Sequence, residues 1–149
     1  MPFTYDYPHM AVTADAVVLT RGAPTKVLLI QRARPPFAGQ WAIPGGFVDM
    51  DEPIAAAAAR ELAEETGVEG VALRFLGYFD AVARDPRGRT LSLAFLGTVT
   101  DEGAVPAKAA DDAQALAWHP VDRLPPLAFD HAEILAAALS AWKADQGRS

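Results

Sequence analysis

Three glutamates, Glu61, Glu64 and Glu65, stand in the run RELAEET. On a helix they are related by i, i+3 and i+4 and fall within an arc of roughly 100° on one face. Like charges at that spacing repel, each pair costing a few tenths of a kcal/mol on an exposed helix. A hard divalent cation removes the penalty, and an all-oxygen donor set suits Mg²⁺ or Mn²⁺, the usual partners of phosphate oxygens. A solvated acidic helix face would carry the same cluster. The surroundings set this one apart. Gly46, Glu52, Arg60, Glu61, Leu62, Glu64, Glu65, Gly67 and Val68 stand at the spacing G-x5-E-x7-R-E-U-x-E-E-x-G-U, where U is a bulky aliphatic residue, with every fixed position filled.

The stretch from Gly46 to Val68 resembles the Nudix box, the signature of hydrolases that cleave a nucleoside diphosphate linked to another group. That resemblance implies a Mg²⁺- or Mn²⁺-dependent enzyme in which Glu61, Glu64 and Glu65 ligate metal and the carbonyl of Gly45 joins them. It leaves open whether Glu61, Glu65 or a residue outside the box takes the proton from water. Arg60 is expected to orient neighbouring carboxylates rather than to touch substrate. In Pro44-Gly45-Gly46, two glycines permit unusual backbone angles that turn a carbonyl toward a metal. Many members carry a further acidic group on the loop before a strand holding a Trp. Here Asp111 and Asp112 precede Trp118, and Asp112 has the better spacing for a metal ligand or base.

Other strings bear on substrate. RARPPFAGQWAIPGG resembles a common Nudix lead-in, and its Arg32 is a candidate for bidentate contact with phosphate oxygens. Arg34 reads as a surface residue. RDPRGR, Arg84 to Arg89, is the densest basic patch, and a charged hairpin tip would look the same. LAFDH precedes the last helix, with Asp130 as a candidate N-cap and Phe129 or His131 placed against a base or ribose. Together these strings resemble the ADP-ribose pyrophosphatase branch, over about Val12 to Leu139. The implied reaction is ADP-ribose to AMP and ribose 5-phosphate. Arg84 or Arg87 would touch the diphosphate or terminal ribose, within one chain or across a homodimer. A sanitiser of nucleoside triphosphates and a non-catalytic nucleotide sensor are the alternatives. Sensors of this kind usually carry a DNA-binding domain, for which a chain of this length has no room, and the full set of carboxylates argues against a dead site.

Positioning these groups requires a scaffold. Glu52-Pro53 is a helix-start signal, Ile54 to Thr66 is rich in the helix formers Ala and Glu, and Gly67 is a stop. Ala55, Ala58, Ala59 and Leu62 supply a small-residue face for close approach to a sheet. Strands are expected at Met10–Thr20, Lys26–Gln31, Trp41–Pro44, Val71–Val82 with a break at Gly77, Thr90–Thr100 and Ala115–His119. Asp85-Pro86-Arg87-Gly88 is a turn. Phe129 to Lys143 reads as an amphipathic helix with Phe129, Ile134, Leu135, Ala138 and Trp142 inward. Largely antiparallel strands with two helices inserted give an α+β class. The resemblance narrows this to an α/β/α sandwich with a mixed central sheet and the box as loop–helix–loop.

Composition is consistent with one small enzyme domain spanning residues 1–149. Hydrophobic residues make up 51% of the chain, enough for one core, and the formal net charge of −6 disfavours nucleic acid and anionic membranes as partners. A small-molecule nucleotide remains compatible, because a metal can carry the positive charge locally. Absence of cysteine excludes disulfides and thiolate catalysis. The N-terminus shows no signal-peptide pattern, and no apolar run approaches the ~20 residues of a membrane span, so a cytoplasmic location is expected. The three histidines sit in no G-x-S-x-G context, and there is no Walker A loop.

Overall fold

A computed structural model describes residues 4–104, 107–108 and 113–146. The Asp111–Asp112 pair, including the proposed ligand Asp112, lies outside the described residues. The elements are β1 (Ala11–Thr20), β2 (Lys26–Arg32), β3 (Trp41–Ala42), β4 (Gly45–Phe47), α1 (Ile54–Thr66), β5 (Arg74–Phe79), β6 (Thr90–Val99), β7 (Ala113–Pro120) and α2 (His131–Gln146). The strands form one mixed sheet in the order β3-β2-β1-β6-β5, with β4 on β1 and β7 on β2. The central pair, β1 and β6, is parallel along its full length, and the other named pairs are antiparallel.

The buried strands carry apolar residues on both faces, and alternation assigns each face its helix. Val17, Leu19, Val27, Leu29, Ala94 and Leu96 pack on Ile134, Leu135 and Ala138 of α2. Ala16, Val18 and Leu28 pack on Leu62 of α1, and Ala14 and Phe95 on Ala57 and Ala58. The expected α/β/α sandwich is the result.

Helix α1 has the expected limits. Its C-cap Gly67 sits at φ 73°, a left-handed conformation that glycine adopts without penalty, and donates to the Ala63 carbonyl. Its inward face differs from the expected one: Ala57, Ala58, Leu62 and Thr66 are buried, while Ala55 and Ala59 are exposed. The line Ala58–Leu62–Thr66 follows the i+4 ridge, and that rotation carries Glu61 and Glu65 toward the sheet while leaving Glu64 outside. Helix α2 starts two residues later than expected. Phe129 has φ 53°, which a right-handed helix cannot contain. Strand β5 is shorter than expected, and its register shifts between Phe75 and Gly77, where the break was anticipated.

One feature of the sheet creates the site. β1 and β2 pair only at Leu19–Val27 and then diverge. β4 takes the freed edge of β1, and β3 takes that of β2. Between them lies a wedge bridged by Ile43 and Pro44.

Candidate active site

Gly45 faces Asp15 and Gly46 faces Ala14 across the β1–β4 pair. Ala16 donates to Pro44 and Val48 donates to Val12, so Gly45 occupies a non-hydrogen-bonded position in the ladder. Its N–H and C=O therefore point away from β1. The N–H is taken by Glu65 Oε1 at 2.8 Å. Both glycines are needed for close approach and not for a positive φ, which corrects the sequence argument: among the described residues neither has one. A Cβ at Gly45 would overlap the Asp15 carboxylate and lie 2.6 Å from the Ala14 carbonyl, and one at Gly46 would lie 2.6 Å from the Glu61 carboxyl.

This difference predicts two outcomes. Gly46→Ala meets only the flexible end of Glu61, so the fold should survive while that carboxylate is displaced. Turnover should drop about 10–100-fold, the scale seen when support for a metal-ligand group is lost. Gly45→Ala meets backbone and should lower the melting temperature as well. Calorimetry and steady-state kinetics on both variants check this, and equal effects would contradict it.

Arg60 gathers the box. It donates from Nε and Nη2 to Glu52, from Nη1 to Glu61 at 2.9 Å and Glu64 at 3.1 Å, and from Nη2 to the Phe47 carbonyl. The bond from Arg60 holds Glu52 below the usual carboxylate range, and Glu52 in turn holds Arg60 above its own. Glu52 also accepts from the Asp49 N–H, so it fixes the loop before α1. Arg60 thus ties the loop before α1 to two of the helix carboxylates.

The carboxylates differ in environment. Glu64 is 60% exposed, whereas Glu61 is 15% exposed and raised by burial against the pull of Arg60. Burial pushes Glu65 up to about 8, with the Gly45 N–H opposing and Glu61 and Asp15 adding to the rise. Asp15, unforeseen in the sequence, is raised by burial to about 6 and accepts a short hydrogen bond from Ser92. Its place in the apolar-looking strand AVTADAVVLT gave no signal of this role.

Of these carboxylates Glu65 and Asp15 line a cavity, while Glu61 and Glu64 lie outside its lining. Glu65, Gly45, Gly46 and Asp15 line it together with Arg32, Arg84, Asp85, Arg87, Phe47, Phe129 and His131. Every described substrate candidate thus reaches the same cavity, within one chain. Their roles separate. Arg84 is 3% exposed and grips Asp130 through two bonds, of 2.9 and 2.6 Å. Neither is therefore the free group expected: Arg84 is spent on Asp130, and the Asp130 carboxylate is held by Arg84 instead of serving as a free N-cap. Arg87 is anchored to Asp85, and its guanidinium lies 4.9 Å from the Phe47 ring and 5.3 Å from that of Phe129. Arg32 lies 5.0 Å from the Phe129 ring and donates to the Pro36 carbonyl. Two guanidiniums thus border one aromatic ring, a surface suited to an anionic, flat ligand. Phe47 and Asp85, also unforeseen, complete it.

The donor chemistry fits a hard divalent cation. Three carboxylates and a peptide carbonyl are all oxygen, and the buried Glu65 carboxyl is raised as an uncompensated charge would be. Among the described residues, however, no group of three acidic or imidazole side chains converges on one point. Glu61 and Glu64 turn to Arg60, and Glu65 turns to Gly45. Also among the described residues, no helix is long and apolar enough to cross a membrane.

Comparison with known proteins agrees with this geometry. The NUDIX domain family matches residues 10–138. An ADP-ribose pyrophosphatase of Methanocaldococcus jannaschii is 39% identical over 92% of this chain and 77% of its own length. The ADPR responsive transcriptional repressor NtrR of Acinetobacter baylyi is 30% identical over 91% of this chain, which spans only 55% of the repressor. Among solved structures, the NUDIX domain of Shewanella oneidensis NrtR complexed with ADP ribose superposes with a TM-score of 0.84 at 30% identity, covering 93% of this chain and 94% of that one. A bifunctional NMN adenylyltransferase/ADP ribose pyrophosphatase of Francisella tularensis, complexed with AMP and Mn ion, gives 0.82 at 32% identity over 92% of this chain and 43% of its own. With the full box on α1 and its carboxylates at the mouth of the β1–β2 wedge, the chain belongs to the Nudix family of hydrolases.

Proposed function

We propose that the protein hydrolyses the diphosphate of ADP-ribose to AMP and ribose 5-phosphate. The observation that carries this reading is the single cavity joining the box residues Glu65 and Gly46, and Gly45 just before the box, to Arg32, Arg87 and Phe129. The relatives named for ADP-ribose support it. A divalent cation, Mg²⁺ or Mn²⁺, would be held by Glu61, Glu64, Glu65 and the Gly45 carbonyl and would supply charge neutralisation and polarisation of phosphorus. Arg60 bonds only Oε1 of Glu61 and Oε2 of Glu64, so the second oxygen of each carboxylate would be left to the metal. Asp112 is proposed as a further acidic ligand or base.

Arg87 and Arg32 meet the anionic diphosphate, and Phe129 and Phe47 offer flat faces to the nucleoside. Glu61 or Glu65 accepts the proton of the attacking water. One water oxygen bonds to phosphorus as the bridging P–O bond breaks, and the two phosphate monoesters leave.

Arg87 carries a specific prediction. Its side chain is 42% exposed and reaches over Phe47 and Phe129, so it serves binding in the ground state as much as in the transition state. Arg87→Ala should raise KM more than it lowers kcat. The wider test compares kcat/KM for ADP-ribose with nucleoside triphosphates. A tenfold preference for any triphosphate, about 1.4 kcal/mol in the transition state, would favour the nucleotide-sanitising reading instead. The likeness to an ADPR responsive repressor supports a second reading, in which the same cavity senses ADP-ribose without turnover. Tight ADP-ribose binding without hydrolysis in Mg²⁺ or Mn²⁺ would select it.

A further inference from the structure

We propose that His131 is a donor of fixed tautomer, its Nδ1 committed to the Ile43 N–H and its Nε2–H offered to an oxygen of the bound nucleoside diphosphate. The proposal rests on the nucleotide reading above and assigns the imidazole two separable tasks.

Ile43 donates its backbone N–H to His131 Nδ1 at 2.9 Å. A backbone N–H can only donate, so Nδ1 must be bare, and the single proton of a neutral imidazole is then on Nε2. Adding a second proton would place it on Nδ1 and break that bond. The surroundings reinforce the neutral form. His131 is 5% exposed, and burial lowers its pKa to about 3, with Arg84 and Arg32 adding to the fall and Asp130 opposing it. The ring therefore donates from Nε2 without bringing a charge.

Its position makes that donor useful. The ring lines the same cavity as Arg32 and Glu65, with its centroid 5.4 Å from that of Phe129. The bond from Ile43 is the hydrogen bond the structure gives it, and the nearby Asp130 is occupied by Arg84. A neutral N–H in a cavity already lined by the three guanidiniums of Arg32, Arg84 and Arg87 selects for an oxygen acceptor, phosphate or ribose hydroxyl, and does not reward additional negative charge as a further cation would. The Nδ1 side performs the other task. His131 is the first residue of α2, and Ile43 leads through Pro44 into Gly45. The bond thus ties the start of α2 to the segment that presents the Gly45 carbonyl.

Two amide substitutions divide the tasks. In His131→Asn, the side-chain oxygen takes the place of Nδ1, keeping the Ile43 bond and losing the Nε2 donor. In His131→Gln, the amide NH₂ extends toward the Nε2 position and the Nδ1 acceptor is lost. Calorimetric binding would be measured for ADP-ribose in EDTA, and for AMP and ribose 5-phosphate separately in Mg²⁺, alongside thermal melting. His131→Asn should bind ADP-ribose about tenfold more weakly, the scale of one lost hydrogen bond to a charged acceptor, with its melting temperature near that of the wild type. His131→Gln should melt lower and keep more of the affinity. Whichever product loses affinity in His131→Asn identifies the oxygen that is read. Nitrogen-15 NMR of the wild-type ring should show the proton on Nε2. Undiminished affinity in His131→Asn, or a proton on Nδ1, would overturn the proposal. Failure of the wild type to bind ADP-ribose or either product would overturn the nucleotide reading and the acceptor named here, while the tautomer is read independently by NMR.

Discussion

Turnover is expected to stop in excess chelator and to fall by about two to four orders of magnitude in Glu65→Gln, the range for loss of a group that ligates or moves protons, while the metal-free variant becomes more stable. Gln keeps the length of Glu65 and can still accept from the Gly45 N–H. It brings no charge to a place where burial raises the carboxyl pKa to about 8. Relative to the ordinary value of 4.5, that rise means the unfolded chain ionises first. Below pH 4.5 both states hold the proton and the charge costs nothing. From there to about pH 8 the wild type loses stability with rising pH, after which the loss is constant. The Gln variant should therefore melt like the wild type at low pH and higher than it at alkaline pH, both in EDTA. Glu64→Gln should lose turnover similarly but leave stability unchanged, because Glu64 is 60% exposed. Wild-type rates in chelator, or an active Glu65→Gln enzyme, would remove the metal assignment.

Local signals in the sequence found the box helix, and tertiary facts decided what it does. Ile54 to Thr66 is helical as propensity and the Gly67 stop required. The inward face was misjudged at Ala55 and Ala59, because a run of alanines has no periodic contrast and only the sheet selects which of them are buried. The two strands that splay, β1 and β2, read correctly as strands. Their divergence did not, since pairing between distant segments leaves no local trace. Asp15 was hidden for the same reason. A lone acid in an apolar strand is informative only when Gly45 and Ser92 are seen around it. The two glycines were flagged for their conformational freedom, whereas what matters is the missing Cβ. Spacing along the box helix placed the three carboxylates on neighbouring turns because their neighbours there are neighbours in sequence, but it held no sign that Glu61 and Glu64 turn to Arg60 while Glu65 turns to Gly45.

The substrate wall illustrates the opposite case, and its keystone carries the second large prediction. Arg84 and Asp130 lie 46 residues apart, so nothing in RDPRGR or LAFDH foretold that they bind each other. Burial works against the Arg84 charge, yet the bonds and charge of Asp130 outweigh it and leave its pKa raised. With Arg84 3% and Asp130 12% exposed, truncating one partner strands the other charge. Arg84→Ala should cost about 3–5 kcal/mol of stability, as the loss of one partner of a buried ion pair does. The pair also has a positional duty. It joins the turn carrying Arg87 to the residues Phe129 and His131, and Phe129 holds a left-handed backbone worth roughly 1–3 kcal/mol of strain that its neighbours must impose. Replacing both partners, Arg84→Met with Asp130→Leu, removes the stranded charge and should recover most of the stability, because apolar substitutes for buried pairs are often neutral or better. Recovery of activity should lag behind, with KM for ADP-ribose still raised, since apolar contact does not fix the orientation of the two loops as a bidentate guanidinium does. Urea denaturation with steady-state kinetics on the single and double variants separates the two duties. A single variant within about 1 kcal/mol of the wild type, the scale of an exposed pair, would mean that Arg84 contributes as a surface charge. A double variant with normal KM would mean that the pair stabilises the fold and leaves the geometry of the substrate wall to other contacts.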